Sequence, residues 1–224
     1  TTAAETLTVT WHGRPLPHGA FLTGMMFRVN ENGTPRDPSD DVPMIANQNQ
    51  PWSAHSWWPC KDHPSDKALV SLAVTVPDTL VAISNGTLLQ EDSPGPGLRR
   101  FVWREAYPIA TYLISVAATN FVSWSQDCRP VGADPVRLDF HVFPHHRENA
   151  EIDMAPTCDM MELMVRLAGP YPFPGEKYAQ AEFKWLGSME HQTATSLSTI
   201  VYSGDRYYEL TVMHELAHQW FGNL

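Results

Sequence analysis

Leu69-Val70-Ser71-Leu72-Ala73-Val74-Thr75-Val76 is the stretch on which the fold reading turns. Apolar and β-branched residues interleave with small polar ones, and Pro77-Asp78 closes the run. That is the pattern of a strand with one sheltered face. Asn85-Gly86 supplies the next turn. The same cadence holds from residue 6 to about 142, with turn punctuation at Asn32-Gly33, Pro35, Pro38, Pro94-Gly95-Pro96-Gly97, Pro130 and Pro135. No helix-period segment of useful length interrupts it, so a sandwich or layered sheet is expected.

Beyond Phe143-Pro144 the period changes. Ile152, Met160, Met161, Met164, Val165 and Leu167 fall on one helical face, and Gly169-Pro170 stops the run. Pro156 starts this helix at or after Ala155, because a proline inside it would remove a backbone donor. The three methionines read as core packing. Residues 178–185 form another strand. Residues 207–220 form a second helix, with Leu210, Met213, Leu216, Ala217 and Trp220 as its buried stripe and Ser203 or Asp205 as its N-cap. The expected class is α+β, with a β domain over residues 1–145 and a second part over 146–224.

Composition narrows the function. Lys plus Arg number 15 against 25 Asp plus Glu, a net charge of −10, which disfavours the basic face a nucleic-acid binder needs. A 43% hydrophobic content with eight tryptophans is ample for a core. No run approaches the ~18 apolar residues of a membrane-spanning helix; the best, residues 112–118, contains Ser115. Residues 1–10 lack the basic start and apolar stretch of a signal peptide. Cys60, Cys128 and Cys158 are too few for a disulfide scaffold, and at least one must be free. Cys60, next to Pro59, reads as a structural residue rather than a nucleophile. Compartment stays open.

On the second helix lies His214-Glu215-Leu216-Ala217-His218. Spacing i, i+4 puts both imidazoles on one face, one turn apart, where they can converge on a single Zn²⁺. Glu215 stands beside them without having to ligate. It can accept a proton from a metal-activated water and return it to a leaving amine. Chance produces this pattern in about 2% of chains of such composition. The bland alternative is two histidines on a surface helix. His141, His145 and His146 match no common metal spacing.

A second polar constellation lies upstream, Gly187-Ser188-Met189-Glu190-His191-Gln192-Thr193. It resembles the G-x-M-E-N exopeptidase motif of the M1 family of zinc aminopeptidases, with His191 where Asn is usual. The helix is similar to that family's metal helix through its flank, Gln219-Trp220-Phe221-Gly222-Asn223. Gln48-Asn49-Gln50-Pro51, Trp58-Pro59-Cys60-Lys61-Asp62-His63-Pro64, Lys67-Ala68, Ser84-Asn85-Gly86 and Gly169-Pro170-Tyr171-Pro172-Phe173 resemble further landmarks, in order along nearly the whole chain.

The resemblance implies a saddle-like β domain followed by the first part of a thermolysin-like catalytic domain. It implies one Zn²⁺ held by His214 and His218, Glu215 as general base, and Glu190 binding the free α-amine of a peptide. Gly187 and Ser188 would line the substrate through their backbones, within a substrate-binding set that includes Met189 and His191. Gln48 and Gln50 would reach the amino-terminal residue, although many relatives carry Glu at the second position. The family's third ligand, a Glu on the next helix, and its oxyanion-stabilising Tyr would lie past residue 224. The chain then reads as an incomplete piece, inactive alone, of an enzyme acting on peptides with a free amino terminus. The competing readings are a β-rich interaction module that has lost catalysis, and a zinc endopeptidase.

Overall fold

The computed structural model describes residues 6–15, 17 and 22–224. Part of the leader reading falls on residues 1–5, which lie outside the described residues. Among the described residues are eleven strands, in three sheets, and three α-helices.

The first sheet has the order β1-β2-β7-β4, from Gly24–Asn30, Val42–Gln48, Val116–Thr119 and Val81–Ser84, every neighbour antiparallel. The second, three-stranded sheet has β6 (Leu98–Ile109) between β3 (Ala68–Pro77) and β5 (Thr87–Asp92). The stretch that opened the sequence reading is β3, and it pairs with β6 over most of its length. Its alternation is visible in its burial, which steps between exposed and half-buried up to the buried Val76. Strand structure begins at Gly24. Residues 6–15, expected within the β pattern, carry no strand.

The third sheet spans the expected division at residue 145. Its order is β11-β10-β9-β8, from Ala194–Ser198, Tyr178–Phe183, Val136–Val142 and Val122–Cys128. β10 runs parallel to both β9 and β11, while β8 and β9 form an antiparallel pair. A boundary at 145 therefore cuts through one sheet. Sheet membership changes between Thr119 and Val122 instead. The sequence marks where helical period starts, but the return of the chain beside β9 depends on pairing across 40 residues that no local pattern records.

The β9-to-β10 crossover carries α1 (Arg147–Asp153) and α2 (Thr157–Ala168). Pro156 stands just ahead of α2, as expected, but the short helix before it was not anticipated. Met160, Met161, Met164 and Val165 are buried, whereas Ile152 and Leu167 of the expected stripe are exposed. Cys128 of β8 and Cys158 of α2 form a disulfide, and Cys60 is free, its thiol pushed up to about 11 by burial and then by Asp62.

The last helix, α3 (Glu209–Ala217), is shorter than expected. Leu210 is 84% exposed and Val212 is buried in its place; Leu216 and Trp220 are buried, and Met213 and Ala217 pack half-buried against the same core, as expected. Neither Ser203 nor Asp205 caps it; Tyr208 holds the cap position, and Asp205 accepts instead from the Tyr207 amide. The Trp220 indole donates to the Gly169 and Pro170 carbonyls (2.9 and 3.0 Å), tying the tail of α3 to the end of α2.

Two cores result. One joins β8, β9, the helices, Tyr171, Phe173 and Tyr178. The other fills the first two sheets and takes in Phe143, Phe183 and Met189 from the later part of the chain. No helix among the described residues is long and apolar enough to cross a membrane.

Candidate functional site

Parallel strands β10 and β11 are joined by residues 184–193, a short irregular connection with no helix of its own. Within it Met189 bridges antiparallel to Ser196, with both Met189 N–H to Ser196 O and Ser196 N–H to Met189 O at 2.8 Å. That pairing buries the Met189 side chain completely in the β core and leaves Glu190 at the start of the following turn. Gln48, at the end of β2 and buried, lies with its amide nitrogen 3.5 Å from the Met189 sulfur. Gln50 is exposed, and its side chain forms no hydrogen bond among the described residues. Gly187 and Ser188 are half-buried on the approach to Met189. A Cβ on Gly187 would come within 2.8 Å of the Trp185 ring, so the close packing there needs glycine. The Ser188 hydroxyl accepts from the Ser198 amide (3.2 Å).

On α3 the two imidazoles converge. The Nε2 atoms of His214 and His218 are 3.2 Å apart, and the rings stand nearly perpendicular. The Nδ1 of His218 is 2.9 Å from the Phe221 carbonyl, an acceptor, so Nδ1 carries the proton and Nε2 presents its lone pair. Two nitrogens at about 2.0–2.1 Å from a tetrahedral zinc would be about 3.3 Å apart, so this pair fits two positions of such a shell. The His218 contact to Phe221 is the kind of outer hydrogen bond that fixes a ligand's tautomer. Among the described residues no group of three His, Cys, Asp or Glu side chains converges as a metal site.

Glu215 is buried, and its carboxyl is pushed up to about 8, first by burial and then by the negative charge of Glu190. Glu190 and Glu215 are each only 7% exposed. Tyr112, half-buried in the turn between β6 and β7, is also raised by burial and by Glu190. His191 is fully buried; its Nδ1 is 2.9 Å from the Ser196 hydroxyl, and burial pushes the ring down to about 3, so it stands neutral. His141, His145 and His146 do not form a cluster around one point: His141 pairs with Ser123, and His146 with Glu182.

Motif residues to which the sequence reading gave no role knit these parts together. The Asn223 side chain donates to the Glu190 carbonyl (2.7 Å), and the Gln219 side chain accepts from the Thr193 amide (2.9 Å). Both amides are fully buried. Lys67 reaches from the start of β3 to the Asn223 carbonyl (2.9 Å). Thr193 has φ +57°, a left-handed conformation that costs a β-branched residue roughly 1–3 kcal/mol. The signal for Gln219 and Asn223 was present as polar residues following an otherwise core-facing helix, but their partners lie about 30 residues upstream.

A family model described as the Peptidase M1 N-terminal domain matches residues 35–113. Aminopeptidase M1-B of Oryza sativa subsp. japonica is 28% identical over 98% of this chain, which covers 27% of that protein. Endoplasmic reticulum aminopeptidase 1 of Homo sapiens is 26% identical over 81% of this chain, covering 20% of its length. The chain thus spans about a quarter or less of these relatives. The fold is shared with an M1 zinc metallopeptidase from Deinococcus radiodurans, at a TM-score of 0.70 and 24% identity over 80% of this chain and 40% of that one. The chain is thus similar along nearly its whole length to M1 aminopeptidases, carries a match to the M1 N-terminal domain over residues 35–113, and shares the fold of an M1 zinc metallopeptidase.

Proposed function

We propose that this chain forms part of a zinc-dependent aminopeptidase that removes residues from the amino terminus of peptides. The observation that carries the reading is the 3.2 Å approach of the His214 and His218 Nε2 atoms, with the Glu190 turn bonded to Asn223 just beyond them. His214 and His218 would hold the metal. Zinc, when bound, supplies Lewis-acid polarisation of the first peptide carbonyl and activates the attacking water.

The chain's own residues do the rest. Glu215 takes a proton from the nucleophile and delivers it to the departing amine. Glu190 binds the substrate's terminal ammonium in a charge-assisted contact that an interior peptide bond cannot offer. Gly187 and Ser188 line the substrate through the backbone. Met189, packed in the core, gives Glu190 a rigid footing, and Gln48 with Gln50 flanks the amino-terminal residue from the β domain. His191, next along from Glu190, lines the same turn. The segment from Val122 onward is the opening of a thermolysin-like catalytic domain, and the sheets before it are the β domain.

Two substitutions and one substrate test this. In an active polypeptide carrying residues 1–224, Glu215→Gln keeps zinc and lowers kcat on an aminoacyl chromogenic substrate by about 10²–10⁴-fold. Glu190→Ala raises KM for that substrate. Acetylating the substrate's α-amine abolishes cleavage. An unchanged rate in Glu215→Gln overturns its role as base, and efficient cleavage of acetylated peptides identifies an endopeptidase.

A further inference from the structure

The turn that bears Glu190 ends on the most heavily bonded residue of the site, and nothing in the reading above assigns that residue a role. Thr193 uses every polar group it has. Its amide donates to the Gln219 side chain (2.9 Å). Its hydroxyl accepts from the Gly86 amide (2.7 Å) and donates to Glu105 (3.1 Å). Its carbonyl accepts from the Ala179 amide (2.9 Å) and from the buried Lys177 ammonium (3.3 Å). These five partners come from the tail of α3, the β4–β5 turn, β6, β10 and the residue before β10.

Such bonding holds a β-branched residue at φ +57°, a conformation that isolated threonine avoids. Strain over-determined by its surroundings is a mark of a functional position. The neighbouring bonds give it direction. Asn223 holds the Glu190 carbonyl while Gln219 holds the Thr193 amide, and both lie within five residues of His218. Both ends of the turn are therefore referenced to the helix that carries the histidine pair, and Asn85 fixes its middle through the Gln192 carbonyl (2.5 Å).

We infer that Thr193 is a positioning residue, its hydroxyl and left-handed backbone setting where the Glu190 carboxylate stands relative to His214, Glu215 and His218. It acts through Glu190 and so governs capture of the substrate ammonium, leaving bond cleavage to Glu215. This inference rests on the aminopeptidase reading.

Thr193→Val keeps the shape and removes the hydroxyl; Thr193→Ser keeps the hydroxyl. In an active polypeptide carrying residues 1–224, the Val variant raises KM for an unblocked aminoacyl anilide about tenfold, with kcat within threefold and zinc content unchanged. The Ser variant stays within twofold of the parent. In the metal-free 224-residue chain, amides 190–194 exchange at least tenfold faster in the Val variant, and those of β1 and β2 do not change. If the Val variant does not fold, Gln219→Met, which removes only the partner of the Thr193 amide and its neighbouring carbonyl contacts, carries the same expectations. An unchanged KM beside a raised KM in Glu190→Ala overturns the inference and leaves the aminopeptidase reading standing. A fall in kcat at constant KM overturns it as well. No effect of Glu190→Ala removes both.

Discussion

Gly86 shows how little freedom the surroundings of the site allow a single residue. It adopts φ +69°, and a Cβ there would lie 2.0 Å from the Arg104 carbonyl oxygen, a backbone atom that cannot step aside. Its amide is committed to the Thr193 hydroxyl. Gly86→Ala combines a forbidden conformation with a direct clash, so the expected loss is about 2–4 kcal/mol, read from chemical denaturation. Exposed Gly132, also at positive φ but with open space around it, should cost about 1 kcal/mol by the same substitution. Equal losses at the two positions would mean that the close approach of Arg104 contributes nothing.

Helix α3 brings two imidazoles to one point, and that is two ligands of the three a catalytic zinc normally has. The 224-residue chain alone is therefore expected to bind Zn²⁺ weakly, micromolar or poorer, because among the described residues no third ligand joins the two imidazoles. Calorimetric titration checks this, and His218→Ala should abolish what binding there is; nanomolar affinity would refute it. Elsewhere, the Cys128–Cys158 bridge fastens β8 to α2 across 30 residues. Replacing both cysteines by alanine should cost about 2–4 kcal/mol, measured as a fall in the denaturation midpoint.

The same elements show how far the sequence could be read. The approach of His214 to His218 was legible because i, i+4 spacing on a helix is a local property, whereas Glu190 was singled out only through resemblance to a family motif. The outward-facing Leu210 and inward-facing Val212 were not, since which flank of α3 meets the core is decided by Trp220 anchoring to Gly169 and Pro170. β11 escaped notice because Ala194-Thr195-Ser196-Leu197-Ser198 has no apolar alternation; it is buried on both faces and needs none. The disulfide and the joining of β9 to β10 depend on approach in space, which spacing along the chain does not encode.

Across the whole molecule, the two cores meet at a buried ionic group. Glu105 of β6 is pushed up to about 8, first by burial and then by Glu176, while burial pushes the Lys177 ammonium down to about 8. The Glu105 pKa is higher folded than unfolded, so the folded state holds the extra proton between about 4.5 and 8. Its contribution is full below the unfolded value and is lost as pH rises through that window. Glu105→Gln, which mimics the protonated acid, should therefore lose part of this pH dependence. Its melting temperature relative to the parent should rise by about 3–5 °C between pH 5 and pH 8.5. A difference that does not vary with pH would show that Glu105 is ionised throughout.

The bonds that complete the turn at Glu190 span great lengths of polypeptide: Gln48 meets Met189 across 141 residues, and Asn85 meets Gln192 across 107. Closing such loops is slow, because chain entropy is given up before any contact returns it. The carboxylate's final placement should consequently be among the last events of folding, after the helix with its histidines has already formed. A denatured chain returning to its fold would pass through a stage in which α3 is formed and the Glu190 turn is still unset.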